Sequence, residues 1–124
     1  MNLDSVRELC LSLPRATEKV QWEDELCFKV DDKIFAMIGL ASVPPRLVFK
    51  CNPETFAELT EREGIVPAPY VGRYKWAMLE SMDILSDSEV DALIRESYAM
   101  VCAKSKRPVV KASKRRKVAR TTKK

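Results

Sequence analysis

The carboxyl-terminal end of the sequence carries a dense run of positive charge. Residues 104–124 contain 11 lysine or arginine residues and no acidic residue. A run of this kind binds the phosphates of DNA or RNA by releasing condensed counterions, and it does not read base sequence. The candidate phosphate contacts within it are Lys111, Lys114, Arg115, Arg116, Lys117 and Arg120. A solvated extension that only aids solubility is the alternative, because many charge runs have no partner.

A second candidate segment lies in the body of the chain, at residues 69–76. It interleaves aromatic side chains with two cations beside a glycine, in the order Tyr70, Val71, Gly72, Arg73, Tyr74, Lys75, Trp76. Aromatic rings stack on bases, cations contact phosphates, and glycine permits close backbone approach. Arg73, Lys75 and Trp76 are therefore candidates for contact with nucleic acid. Alternatively, Tyr74 and Trp76 pack on a sheet face and Arg73 forms a surface ion pair.

Arg46 and Lys50 lie two residues before and two residues after Val48 in a short alternating segment. In a β-strand these three side chains share one face, so the two cations would form a small basic ridge that can meet a phosphate backbone. A solvated sheet face, or ion pairs with nearby acids, would use the same residues.

A cleft near Trp22, Tyr70 and Trp76 is the basis for a different function, the binding of a small ligand or a protein partner. Trp22 precedes three acidic residues, 23–25, whose carboxylates are of the type used in acid–base or metal chemistry. No further clustered ligand and no glycine-rich turn accompanies them, so a solvated acidic loop is the better interpretation.

Several kinds of catalysis are excluded by missing residues. The sequence has no histidine, which rules out a Ser-His triad, and it has neither a P-loop nor a GxGxxG motif. Its four cysteines are too far apart for a CxxC metal clip, and we expect them to be reduced and buried: Cys10, Cys27, Cys51 and Cys102. We therefore expect no metal, no cofactor and no enzymatic activity.

The elements that would position these residues follow from the spacing of apolar residues. A stripe from Leu3 to Leu13 predicts a first helix, and a polar loop at 15–25 follows it. Two alternating segments on either side of Asp31-Asp32 predict a hairpin with strands at 26–30 and 33–40. A two-residue turn there gives the pairs Val30–Lys33, Phe28–Phe35 and Leu26–Met37.

The second half of the chain adds two strands and two helices. Residues 46–51 alternate as a third strand, and Asn52-Pro53 begins a second helix. Residues 65–73 are too rich in proline and glycine for regular structure, and 74–80 read as a fourth strand. The last helix starts at the capping box of Ser86 and Glu89 and ends near residue 104.

These elements predict an α+β domain over residues 1–104, in the order α-β-β-β-α-β-α, with helices packed on an antiparallel sheet of about four strands. A basic tail that is disordered in isolation would follow at 105–124. Residues 1–103 hold 11 cations and 18 anions, a net charge of −7, so the body alone repels phosphate. With no apolar run long enough for a membrane span and no signal peptide, we expect a cytoplasmic protein without a membrane partner, most simply a monomer.

Five segments of residues 1–104 resemble the YjbR/MmcQ-like proteins of bacteria. They read RELCLSLPRATE, LCFKVDDKIFAMIGL, RLVFKCNPETFAEL, GIVPAPYVGRYKW and SYAMVCAK. The resemblance implies a CyaY-like fold and a DNA-binding protein of the double-wing type. Asp31-Asp32 stands where relatives usually have Gly-Gly at the hairpin tip. The stretch before the fourth strand lacks a histidine found in relatives, so any role of that histidine does not apply here.

Overall fold

The computed structural model describes residues 1–22, 24–69 and 71–104, without the side chain of Arg73, so the predicted tail at 105–124 lies outside the described residues. The elements in chain order are α1 (Leu3–Ser12), β1 (Thr17–Gln21), β2 (Glu25–Val30), β3 (Lys33–Gly39), β4 (Arg46–Lys50), α2 (Pro53–Thr60), β5 (Ile65–Pro67), a 3-10 helix (Gly72–Tyr74), β6 (Trp76–Leu79) and α3 (Asp87–Ala103).

The strands form one antiparallel sheet of six, in the order β1-β2-β3-β4-β6-β5. The α+β class is as predicted, but the expectation of about four strands is wrong, because both edge strands were missed. β1 lies inside the predicted polar loop, since its sequence TEKVQ is largely exposed and lacks apolar alternation. β5 is only three residues long and ends at Pro67, a residue that edge strands tolerate.

The strand predicted at residues 74–80 is shorter than expected. Lys75 adopts a left-handed φ of 70°, which separates the 3-10 helix from β6. Tyr74 consequently lies outside the sheet and is 55% exposed. Trp76 and Met78 pack in one apolar cluster, as the predicted alternation requires.

The hairpin of β2 and β3 contains a β-bulge that changes its predicted register. Val30 pairs with Lys33 as expected, but the register then shifts, and the observed pairs are Phe28–Ala36 and Leu26–Ile38. A bulge inserts one extra residue and re-aims its side chain. Phe35 therefore joins the same core as Ala36, whereas Met37 packs on the opposite side of the sheet.

All three helices pack against one face of the sheet and bury the main core with it, through residues such as Val6, Leu59 and Ile94. Each helix begins at a cap, where the side chain of Asn2, Asn52 or Ser86 accepts a hydrogen bond from the backbone N–H three residues further on. Within the described residues, no helix has the length and apolarity to cross a membrane.

The cysteines are free thiols, and three of the four are buried as predicted. Cys10, Cys27 and Cys51 lie in the interior, while Cys102 on α3 is half-buried. Burial raises the pKa of Cys10 and of Cys51 to about 12, so both stay protonated at neutral pH.

The hydroxyl of Ser97 joins α3 to two strands at the point where their pairing stops. β3 and β4 pair only as far as Ala36 and Phe49. Just beyond, Ser97 Oγ donates to the Phe35 carbonyl at 2.6 Å and accepts from the Lys50 amide at 3.0 Å. Ser97 is fully buried, so water does not reach this point. Its hydroxyl supplies the hydrogen bonds that the Phe35 carbonyl and the Lys50 amide would otherwise make within the sheet.

Removing the cap of the last helix tests where α3 begins. Ser86→Ala deletes the oxygen that accepts from Glu89 N at 3.2 Å, and we expect it to lower the free energy of unfolding by about 1 kcal/mol. Urea denaturation measures this change. Ser88→Ala in the same turn is the control, because the exposed Ser88 hydroxyl meets the Ser86 hydroxyl and not the Glu89 amide. An unchanged midpoint for Ser86→Ala would contradict the assigned start of α3.

Removing the Ser97 hydroxyl has a larger expected effect. Ser97→Ala leaves the Phe35 carbonyl and the Lys50 amide without this partner, and each such buried group costs about 1–3 kcal/mol. We therefore expect a loss of at least about 2 kcal/mol in denaturation, again relative to Ser88→Ala. Amide hydrogen exchange at Lys50 should accelerate in the variant, and unchanged protection would show that another group takes over this contact.

Candidate functional site

The sheet face opposite the helices carries a second, smaller apolar cluster. Its buried members are Val48, Ala68 and Met78, from β4, the segment after β5, and β6. Partly buried side chains pack around them: Met37, Val66, Val71 and Trp76. Among the described residues no helix covers this face, and the segment between β5 and β6 packs on it through Ala68 and Val71.

A concave cavity of about 600 Å³ opens on this face. Its floor is apolar, with Met37, Val48 and Met78 contributed by three strands that adjoin in the sheet. Val71 and Pro69 bound one side, and the opposite side is polar. The volume lies within the range of sites that hold small molecules or cofactors.

The polar side of the cavity is built around Gly39, which leaves a notch in the sheet face. Gly39 pairs with Glu25 on β2 and with Arg46 on β4, so an acid and a base flank a residue without a side chain. A Cβ placed on Gly39 would lie 3.6 Å from Glu25 Oε2, 3.8 Å from Ser42 Oγ and 3.9 Å from Arg46 Cβ. Glu25 and Ser42 thus present polar atoms to one small space, and Arg46 borders it through its Cβ and lines the same cavity.

Glu25 and Arg46 do not pair with each other across this notch. Neither side chain makes a hydrogen bond or ion pair with any part of the chain that the structure describes. Partial burial, with the Asp24 carboxylate nearby, raises the pKa of Glu25. The notch therefore holds a partly desolvated acceptor, Glu25, and the cavity around it has a donor, Arg46, and both are available to a bound molecule.

Trp22 stands at the mouth of the cavity in the turn that follows β1. Its backbone adopts a left-handed φ of 49°, and its side chain is 66% exposed. A large aromatic ring held in this position offers a flat surface for stacking.

The structure separates several residues that the sequence groups together. Arg46 lines the cavity, whereas Lys50, at the other end of β4, does not. The Lys75 ammonium lies 5.2 Å from the centroid of the Phe56 ring on α2. Of the predicted cleft, Trp22 borders the cavity and Trp76 packs in the adjoining apolar cluster without lining it. Tyr70, the Arg73 side chain and the tail candidates from Lys111 to Arg120 lie outside the described residues.

The sequence groups Glu25 with a solvated acidic loop and gives no role to Gly39, yet both residues line the cavity. The sequence places one at the end of an acidic loop and the other inside a strand, with no sign that they meet. Their proximity depends on the pairing of β2, β3 and β4 at Gly39, which spacing along the chain does not reveal. A glycine inside a strand is the one available signal, because it often marks close approach by another group.

A pair of lysines marks the end of the body from which the basic run continues. The pKa of Lys50 is lowered to about 8, because the neighbouring Lys104 amine and partial burial both favour its neutral form. When both amines are protonated, the two neighbouring ammonium groups repel each other. An anion bound between them would relieve that repulsion.

Among residues 1–22, 24–69 and 71–104, no three cysteine, aspartate or glutamate side chains lie close enough together to hold a metal ion.

The sequence matches the family described as YjbR over residues 11–100. The chain belongs to the YjbR family. A search of curated proteins finds no match. A solved relative is the Deinococcus radiodurans protein DR2400, with domain DUF419, which is 26% identical over 83% of this chain and 80% of its own, with a TM-score of 0.76.

The YjbR fold of this chain is also shared by a Pseudomonas syringae protein that was solved twice. Its crystal structure has a TM-score of 0.67 at 21% identity and covers 81% of this chain and 98% of the relative. Its solution structure gives a TM-score of 0.65 at 20% identity, with coverage of 81% and 92%. At these identities the likeness shows the fold alone.

The lysine pair gives a pH-dependent prediction. Because the pKa of Lys50 is lowered in the folded state, the folded chain binds fewer protons than the unfolded chain between about pH 8 and 10.5. The repulsion therefore destabilises the protein below pH 8 and fades as pH rises. In NMR titrations, Lys104→Gln should return the pKa of Lys50 towards 10.5, whereas Lys33→Gln should not. An ordinary Lys50 pKa in the unaltered protein would show that the two amines do not meet.

Proposed function

We propose that this protein binds nucleic acid in the cytoplasm, chiefly by nonspecific contacts between phosphates and its basic carboxyl-terminal run. The observation that carries the proposal is the division of charge. Residues 104–124 hold 11 cations without an acid, whereas residues 1–103 have a net charge of −7. Counterion release favours association of such a run with a polyanion, and DNA or RNA is the commonest one in a cell.

The lysine pair at the end of α3 supports the same function. The run begins at Lys104, whose amine lies beside that of Lys50. A phosphate placed here would contact both ammonium groups and remove their mutual repulsion. The folded body would thereby add contacts where the run leaves it, and the DNA-binding role that the family resemblance implies agrees with this.

The remaining surface of the body is a weaker partner for phosphate, because its net negative charge repels a polyanion. Arg46 is a cation without an ion pair among the described residues, but the acidic Glu25 lines the same cavity. We therefore assign nonspecific affinity to the run and only an assisting part to Arg46, Arg73, Lys75 and Trp76.

A second candidate function, the binding of a small ligand, is favoured by the cavity of about 600 Å³ on the uncovered sheet face. This function does not depend on the basic run. It becomes the leading candidate if neither the full chain nor a truncated chain binds nucleic acid.

Deleting residues 105–124 tests the main proposal. The deletion removes ten cations and leaves Lys104 in place. We expect the full chain to bind a short duplex with a steep negative slope of log affinity against log salt, and the truncated chain to show a flatter slope and little affinity at moderate salt. Fluorescence anisotropy at several salt concentrations measures both. Equal affinity of the two chains at one salt concentration would contradict the proposal.

A matched variant separates charge from length. Replacing the ten cations of 105–124 with serine or glutamine keeps the length and should behave as the deletion does. Duplexes of unrelated sequence should compete almost equally for the full chain, because the run contacts phosphates and not base edges.

A further inference from the structure

The notch at Gly39 restricts which hydrogen-bonding groups a bound molecule can place there. The Glu25 carboxylate only accepts hydrogen bonds, the Arg46 guanidinium only donates them, and the Ser42 hydroxyl does both. A molecule in the notch must therefore donate on the Glu25 side and accept on the Arg46 side. A simple anion or a simple cation satisfies only one of the two.

The rest of the cavity fits a ligand that is flat and largely apolar. Met37, Val48 and Met78 form the floor, and the exposed ring of Trp22 stands at the mouth. Thioether side chains make favourable contacts with aromatic rings, and tryptophan stacks on them. A heteroaromatic ring with a polar edge fits a cavity that is apolar below and polar at one side.

Among the nucleic-acid bases, guanine matches the polar side best. Its N1–H and N2–H groups point the same way and suit the two oxygens of a carboxylate. Its O6 and N7, on the neighbouring edge, are acceptors that arginine contacts in a bidentate manner. Adenine, cytosine and thymine offer no pair of parallel donors on adjacent atoms, so none of them satisfies both oxygens of Glu25.

We infer that the cavity binds a guanine base, with its N1 and N2 edge on Glu25, its O6 and N7 edge towards Arg46 and its ring beside Trp22. The partly desolvated Glu25 gains two donors in this arrangement, and Arg46 gains an acceptor. The base could belong to a single-stranded nucleic acid, in which case the inference rests on the proposed function, or to a free guanine nucleotide.

The first test uses free nucleotides and the full chain at high salt, which suppresses phosphate attraction to the basic run. Calorimetry compares guanosine, inosine and adenosine monophosphates. Inosine differs from guanosine only by the missing N2 amino group, so its monophosphate should bind roughly tenfold more weakly, as expected for the loss of one charge-assisted hydrogen bond. Equal binding of the guanosine and inosine nucleotides, or binding of neither, overturns the inference.

Two variants connect this discrimination to the notch. Gly39→Ala puts a methyl group into the space at ordinary contact distances, the nearest being 3.6 Å, so the chain should fold and lose guanosine monophosphate. Glu25→Gln should abolish the preference over inosine, whereas Glu58→Gln, on the exposed side of α2, should preserve it. If Gly39→Ala binds as tightly as the unaltered chain, the cavity is not the site. If Gly39→Ala does not fold, Glu25→Gln decides.

Oligothymidine that contains one guanine or one inosine identifies the source of the base. A roughly tenfold preference for the guanine oligonucleotide, lost in Glu25→Gln, assigns the site to single strands. If the preference appears with free nucleotides and not with oligonucleotides, the site binds free guanine nucleotides, and the inference still stands. Salt-dependent binding of plain oligothymidine reports the basic run alone. If plain oligothymidine shows no salt-dependent binding, the proposed function is refuted and the guanine site is unaffected. If only the preference for guanine is missing, the guanine site alone is refuted.

Discussion

The buried hydroxyl of Ser97 links α3 to the sheet at the point where the pairing of β3 with β4 ends. The bulge in the β2–β3 hairpin turns Phe35 into the core, and the ladder between β3 and β4 ends one residue away. Ser97 satisfies both the Phe35 carbonyl and the Lys50 amide, and the next residue, Tyr98, packs edge-on against the Phe35 ring at 5.2 Å. The position of α3 on the sheet, and hence of Lys104 beside Lys50, depends on this junction.

The two faces of the sheet differ in what packs on them. Phe35 and its neighbours face the three helices in the main core, whereas Met37 faces the other way with Val48 and Met78. The opposite face carries a smaller apolar cluster, and the segment after β5 packs on it. The cavity on this face has an apolar floor. Its polar side lies at Gly39, where Glu25 and Arg46 flank a residue that has no side chain.

The sequence predicts those parts of this structure that are encoded locally. The caps at Asn52 and Ser86 are confirmed because each uses a backbone group three residues away. The bulge, β1 and β5 were missed because they depend on partners elsewhere in the chain, and an exposed edge strand needs no apolar pattern. Trp22 could be singled out as an aromatic residue in an acidic loop. The meeting of Glu25 with Gly39 could not be predicted, because it depends on pairing between strands.

The two edges of the sheet have a consequence for how copies of the protein meet. An open edge exposes backbone groups that can template pairing with another molecule and so lead to aggregation. β5 offers only three residues and ends at Pro67, which cannot donate a hydrogen bond. β1 carries Glu18, paired with Arg7 of α1 at 2.6 Å, and Lys19, which both place charge along that border. Both borders are thus poor templates, and two copies of this chain gain little from pairing their sheets edge to edge.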